Sequence, residues 1–310
     1  MIRYVLKRII QMIPVLIGVS FLVFFLMSNA RGDAAATIAG QDATIEEIEA
    51  VREEMGLNDP ILVQYARYMG GVLTGDMGTS YLSDKGVLET YLSRLPKTIE
   101  LALAGIIVAL IISIPMGIVA ALKRGTIVDG FAMLAALLGL SMPNFWLGLL
   151  LIIGFALHLG WFPPSGADEM LSIVLPAITV GTGQAAIITR TTRSSMLEVL
   201  SQDYIRTAKS KGVPKFKVIY KHALRNALIP IVTATGVSLG STLGGAVLTE
   251  SVFSWPGVGK LIIDSINQRD TPMVTGCLIL TTLLVSVTIL IMDVLYAYVD
   301  PKIKAMYTGK

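Results

Sequence analysis

Apolar residues gather into six long blocks, at 9–28, 98–122, 130–158, 171–190, 227–249 and 274–299, and charge returns between them. Each block reaches the roughly 20 residues that a helix, rising about 1.5 Å per residue, needs to cross a bilayer. The block 130–158 is too long for a straight crossing and contains Pro143, so a break or an interfacial portion is expected there. The pattern predicts an all-α membrane protein with six transmembrane helices in a lipid bilayer. No repeat relates the two halves, which argues against an inverted-repeat secondary transporter.

The segment 29–97 has its own pattern. Thr44 followed by Glu47 resembles a capping box, and Ile45, Ile48, Val51 and Met55 then space as one helix face. Gly56 ends that helix. Asp59-Pro60 opens another, with Ile61, Tyr65, Tyr68 and Met69 on one side, and Gly70-Gly71, Gly75 and Gly78 are expected to break the chain. This reads as a small helical cap, since a structureless tether of this length is uncommon.

The stretch 203–230, DYIRTAKSKGVPKFKVIYKHALRNALIP, is basic and helix-patterned. Two helices fit around Gly212-Val213-Pro214. Leu200, Tyr204 and Ala208 space as one face of the first. Phe216, Ile219, Tyr220 and Leu224 form an apolar stripe on the second, with Lys217, Lys221 and Arg225 as a basic stripe. An interfacial anchor for anionic lipid would explain the charge but not the elbow. The pattern suits a lever that presents a firm face to a cytosolic partner.

Composition sharpens this picture. The chain is 54% hydrophobic and 15% charged, against about a quarter charged in soluble domains. Arg3, Lys7, Arg8, Lys123, Arg124, the bases of 203–230, and Lys302, Lys304 and Lys310 fall on one side of six spans, while 29–97 and 159–170 are acidic or neutral. Both termini and the 203–230 loop are therefore expected to be cytoplasmic, and 29–97 extracytoplasmic. The net charge of +3 comes from bases sorted to one face, so it points to no nucleic-acid partner. The first block could be a cleaved signal peptide ending near Ser28-Asn29-Ala30, but it is longer than a signal core and reads as a retained span. Cys277 is the single cysteine and can form no intrachain disulfide.

Little catalytic chemistry emerges. Ser254-Trp-Pro-Gly-Val-Gly259-Lys260-Leu261 lacks the first glycine and closing hydroxyl of a phosphate-binding loop. Gly236-Val-Ser238-Leu-Gly240 matches G-x-S-x-G and raises an intramembrane serine protease. Its nearest histidine, His222, lies about 24 Å away along a continuous helix, beyond the reach a nucleophile needs. Asp293, inside the last block, raises an ion-coupled transporter, or else an interfacial acid paired with a base such as Lys302 or Arg190. No metal site is indicated, because His158, His222 and Cys277 stand apart. In the fifth block Gly236, Gly240 and Gly244 repeat every four residues. They suit close helix packing, and Ser238, Ser241, Thr242 and Gly244 also suit the wall of a translocation pathway.

Residues 203–230 resemble the cytoplasmic signature loop of bacterial ABC-importer permeases. Aligned on Gly212, Ala208, Gly212 and Leu224 match the general pattern, while Arg206-Thr207-Ala208 replaces Glu-Ala-Ala. The form here is similar to that of the dipeptide and oligopeptide branch. So are Tyr4-Val-Leu-Lys-Arg-Ile, Gly56-Leu-Asn-Asp-Pro60, Gly75-Asp-Met-Gly-Thr-Ser-Tyr81, Arg94-Leu-Pro-Lys-Thr-Ile-Glu100, Pro143-Asn-Phe-Trp-Leu-Gly148, Phe253-Ser-Trp-Pro-Gly257 and Tyr296-Ala-Tyr-Val-Asp-Pro301. The resemblance runs nearly end to end and points to the first permease subunit type. Arg31-Gly32-Asp33 departs from the branch's Pro-Gly-Asp-Pro-like turn.

The resemblance implies a type I ABC-importer permease fold. Its parts would be a first helix plus extracytoplasmic segment over 1–93, a five-helix core over 94–300 that includes a coupling loop at 198–225, and a cytoplasmic tail at 301–310. It also implies a second homologous permease, two ATPases that hold ATP and Mg, an extracytoplasmic solute-binding protein that chooses most of the cargo, and a bacterial cytoplasmic membrane. The chain itself would bind no cofactor and hydrolyse nothing. Asp203, Tyr204, Arg206, Ala208, Lys209, Gly212, Pro214, Phe216 and Tyr220 would form the ATPase-coupling loop, with Phe216 and Tyr220 either keying into the ATPase or packing on the membrane domain. Related permeases carry nickel, glutathione or other small solutes in place of peptides.

Overall fold

The computed structural model describes residues 2–29, 34–40 and 42–299. The 31–33 turn, the 301–310 tail and the side chain of Asp293 lie outside the described residues. The chain folds into helices: α1 (Ile2–Ser28), α2 (Ala34–Ala39), α3 (Ile45–Glu54), α4 (Ile61–Thr74), α5 (Val87–Leu122), α6 (Ile127–Ser141), α7 (Asn144–Leu151), α8 (Val174–Leu200), α9 (Asp203–Ser210), α10 (Lys215–Lys217), α11 (Arg225–Gly245), α12 (Val247–Val252), α13 (Val258–Asn267) and α14 (Thr271–Val299). Five stretches among the described residues are long and apolar enough to cross a membrane. The α6–α7 pair makes a sixth, bent by 100°. Pro143 sits at that bend as the N-cap of α7, where its missing N–H and fixed φ end one helix and start the next. The expected break in block 130–158 is therefore a sharp corner.

α5 and α8 form the most extensive helix pair. They run parallel, Gly105 lying against Val180 and Gly117 against Thr192. Gly105, Ala109, Ser113 and Gly117 recur every four residues on the buried side of α5, and the absence of bulk there brings the backbones together. α6, α7 and α11 pack around α8, while α1 stays at the periphery against α14 and α4.

At one end of the bundle the segment 34–86 forms an ordered cap. Thr44 and Glu47 complete the expected capping box, at 3.3 Å for the Glu47 N–H to Thr44 Oγ1 and 2.8 Å for the Thr44 N–H to Glu47 Oε2. These bonds hold the Glu47 carboxyl below its ordinary range. Gly70 and Gly71 do not break the chain. They lie inside α4, which ends at Gly75 in the left-handed region. Tyr65 and Tyr68 clasp Phe21 and Phe24 of α1, and Ser20 Oγ meets the Tyr65 hydroxyl at 2.8 Å. The turn after α4 is tied to the start of α14. Ser80 Oγ donates to Asp270 Oδ2 at 2.5 Å and the Tyr81 N–H to Asp270 Oδ1 at 3.3 Å. Burial, aided by the nearby Asp270 charge, pushes the Tyr81 hydroxyl up to about 12.

The motif Phe253–Gly257 turns the chain between α12 and α13 at the same end. Phe253 and Trp255 are almost fully buried. Trp255 Nε1 donates to the Lys97 carbonyl at 2.8 Å. Glu250, with no exposed surface, accepts from Thr98 Oγ1 at 2.8 Å and from the Lys260 N–H at 3.1 Å. It thereby caps the start of α13 and pins it to α5.

Candidate functional site

At the opposite end, α9 forms a short exposed helix between α8 and a continuous stretch that runs from Lys215 to Gly245. Asp203 in its first turn and Lys209 in its last complement the helix dipole. Its C-terminus is a Schellman cap: the Gly212 N–H donates to the Lys209 carbonyl at 3.0 Å and the Val213 N–H to the Ala208 carbonyl at 3.2 Å. Gly212 has φ +74°, a conformation that disfavours any side chain, and nothing crowds its Cβ position. Pro214 then starts the next helix with φ −54°. The predicted elbow at 212–214 is thus built from a glycine in the left-handed region, a proline of fixed φ and two backbone hydrogen bonds.

The elbow is anchored on one side and open on the other. Ile205 is fully buried in a core with Ile118 of α5, Ile188 and Met196 of α8, and Val218 and Ile231 beyond the elbow. Burying such a side chain stabilises the seat of α9 by about 1.5–3 kcal/mol. Asp203, Tyr204, Arg206 and Lys209 face outward, and Ala208 is half-buried. Of the predicted face, Leu200 and Ala208 do pack against this core, and it is Tyr204 that needs correction, being exposed. Leu200 closes α8, Ser201 and Gln202 break the register, and Ile205 is the anchor. The second predicted stripe also splits. Ile219 and Leu224 turn inward, while Phe216 and Tyr220 make a tilted ring contact at 4.5 Å and remain 69% and 46% exposed. They do not pack on the chain's own membrane core.

A π-helical segment, Val218–Leu224, joins α10 to α11. Six residues beyond it, Pro230 lies inside α11. Asn226 Nδ2 donates to the His222 carbonyl at 2.7 Å, supplying a partner where the regular ladder is disturbed. Nearby, Arg193 of α8 makes a two-pronged contact with the nearly buried Asp129 of α6, at 2.6 and 2.7 Å. The Gly125 N–H adds a third bond to that carboxylate at 3.0 Å. This clamp fixes the α5–α6 turn against α8 about two turns before α8 ends at Leu200.

The four small or polar residues of the fifth span do not share one surface. Ser238 and Thr242 are buried, with Thr242 Oγ1 donating to the Ser238 carbonyl at 2.8 Å. Gly244 lies against Val285 and Gly240 against Ile289, so these glycines serve packing on α14. Only Ser241 combines a polar side chain with an open position. Its Oγ lies 3.5 Å from Gln184 Nε2 of α8, so the two helices share one uncovered polar face. Sequence reading missed Gln184, a lone amide in an apolar block. Ser238 sits mid-helix with no strand-to-helix elbow around it. No cluster of metal-binding side chains occurs among the described residues.

Residues 113–305 match the family model described as "Binding-protein-dependent transport system inner membrane component", and residues 1–102 match its N-terminal companion. A dipeptide transport system permease protein from Alkalihalophilus pseudofirmus is 42% identical, covering 98% of this chain and 100% of the relative. An oligopeptide transport system permease protein from Bacillus subtilis is 42% identical with the same coverage. A glutathione transport system permease protein from Salmonella paratyphi A is 43% identical, covering 98% of this chain and 99% of the relative. Among solved structures, a chain of the MetNI methionine ABC transporter in an inward facing conformation aligns with a TM-score of 0.59 and 18% identity. That alignment covers 69% of this chain and 97% of that one. At that identity the likeness establishes the fold.

Proposed function

The chain belongs to the family of binding-protein-dependent transport system inner membrane components, and from that premise we propose that it forms half of the translocation pathway of an ATP-driven importer of di- and oligopeptides. A homologous second permease supplies the other half. Two ATPase subunits hold ATP and Mg, and an extracytoplasmic binding protein delivers the cargo. The basic end, with α9, faces the cytoplasm together with both termini. The cap over 34–86 faces outward, in a bacterial inner membrane. Residues 1–93 act as an anchor and cap, and residues 94–300 as the moving core.

The observation that carries this reading is the elbow. Asp203, Tyr204, Arg206 and Lys209 project from a helix whose own seat, Ile205, is locked into the core of three spans. A partner pushing on the exposed side of α9 moves that core as one body, because the Schellman cap and Pro214 leave little slack. The exposed Phe216–Tyr220 pair extends the docking face. Peptide cargo is supported by the names of relatives at 42% identity over nearly the whole chain. Glutathione, itself a short peptide, is the second reading, supported by a relative at 43%.

The test is a substitution at the elbow in the reconstituted complex. Gly212→Pro imposes φ near −65° where +74° is needed and removes an N–H bonded to Lys209. We expect ATP hydrolysis to continue while peptide uptake falls by at least about tenfold, with Gly212→Ala losing far less because only strain of about 1–2 kcal/mol is added. Wild-type uptake in the proline variant would refute the lever.

A further inference from the structure

The uncovered side of α8 carries a charge that coupling does not use. Leu175, Val180, Ile188 and Thr192 are buried in the bundle. The open side presents Ile187, Arg190 and Ser194, with Gln184 at its border. Through the Gln184–Ser241 approach it continues onto α11, where Val237 is also exposed. Both stretches belong to membrane-spanning helices. The Ser194 and Ser241 hydroxyls donate to the Thr191 and Ser238 carbonyls, but a guanidinium and an amide turned to lipid are costly, so such a face is turned to water or to protein.

Arg190 lies six residues beyond Gln184, about 9 Å along the helix. It is exposed and forms no ion pair among the described residues, whereas Arg193, less than a turn away, is spent on Asp129. The acid on the same side, Glu198, sits eight residues further toward the elbow, about 12 Å away and beyond a Debye length at physiological salt.

We infer that Arg190 makes this part of the pathway anion-selective, so that cargo bearing a carboxylate passes more readily than cationic cargo. The inference rests on the reading of the chain as a permease whose α8–α11 face lines the route. A fixed charge that no described residue pairs would, in a water-lined route with low-dielectric walls, set the local potential. A guanidinium matches a carboxylate geometrically, which a free peptide or glutathione carries. The neutral Gln184 and Ser241 exchange hydrogen bonds with passing amides without adding charge. A bare metal cation would be repelled, so the same residues weigh against nickel as cargo.

The experiment places a cysteine one turn from the charge, Ile187→Cys, in the complete complex in vesicles. The native Cys277 is fully buried and stays silent. Two water-soluble methanethiosulfonates are compared, one bearing a sulfonate and one a trimethylammonium group. We expect both to react, with an anion-over-cation rate ratio that drops about tenfold in Arg190→Gln and is retained in Arg190→Lys. Where the glutamine variant fails to assemble, raising ionic strength on the Ile187→Cys single variant should compress the same ratio. A ratio indifferent to the substitution, or to salt, overturns the inference and leaves the permease reading intact. Reaction with a membrane-permeant maleimide alone would place the face in lipid and overturn the inference together with the pathway assignment. As a second readout, the preference for a dipeptide with a free C-terminus over its amidated form should shrink in Arg190→Gln.

Discussion

Glu250 is a carboxylate with no exposed surface and no cationic partner among the described residues. Lys260 lends it a backbone N–H and commits its ammonium to Asp264 at 2.9 Å. Burial raises the Glu250 carboxyl above its ordinary value, and the bonds from Thr98, Lys260 and Gly259 pull it part of the way back. A raised folded-state value means that protonation favours the folded chain. The site's contribution to stability is complete below the unfolded value of about 4.5 and is lost as pH rises through the folded one. Glu250→Gln removes that titration. Thermal unfolding in detergent should therefore show the wild type gaining on the variant as pH is lowered from neutral toward 4.5, and a gap independent of pH would refute the assignment. Glu250→Ala, which strands the Thr98 hydroxyl and two N–H groups, should cost about 1–3 kcal/mol for each buried group left unpaired. Nothing near Glu250 in the sequence marks it. Thr98 lies 152 positions away, and one acid among small apolar residues looks like the end of a span. The neighbouring motif 253–257 is visible, but the carboxylate that holds it is not.

The α5–α8 pair carries the argument at the level of elements. A methyl group at Gly117 would stand 2.5 Å from Thr192 Cβ and 2.9 Å from the Thr189 carbonyl, with the partner backbone unable to yield. Gly117→Ala should destabilise the bundle by roughly 1–3 kcal/mol. Gly130→Ala, in α6 with nothing within 4 Å, should be neutral or slightly stabilising. Unfolding of purified chains in mixed micelles compares the two. Hydropathy locates these spans but not their ends. α5 begins at Val87, well before the apolar block at 98, because Val87 and Tyr91 pack into the bundle while Glu89, Arg94 and Lys97 keep the local average polar. α8 likewise runs to Leu200, past the bases that seem to close it. The elbow was legible because proline fixes φ by itself and glycine is the residue that readily takes the positive φ that ends a helix. The face that α9 buries was not, because a two-residue break after Leu200 shifts the register, and periodicity carried across that break selects Tyr204 over Ile205. The π-helical segment at Val218–Leu224 leaves no periodic trace.

For the whole molecule, the distribution of polar groups decides what the chain can do unaided. Its cap, first helix and α13 are closed by internal bonds, namely Ser20 to Tyr65, Ser80 to Asp270 and Thr98 to Glu250. By contrast, the α8–α11 face and the outer side of α9 leave Arg190, Ser241, Tyr204 and Lys209 exposed. On the function proposed above, the chain supplies half of a polar route with no wall on the other side, and its lever has nothing to push it without a partner. Reconstituted by itself in vesicles, it should move no labelled dipeptide under a proton or sodium gradient. Adding the second permease, the ATPases, the binding protein and ATP should restore uptake. Sustained gradient-driven flux through the lone chain would mean that the open face closes on itself or on a second copy, and the division of labour between a passive bundle and its ATP-hydrolysing neighbours would have to be abandoned.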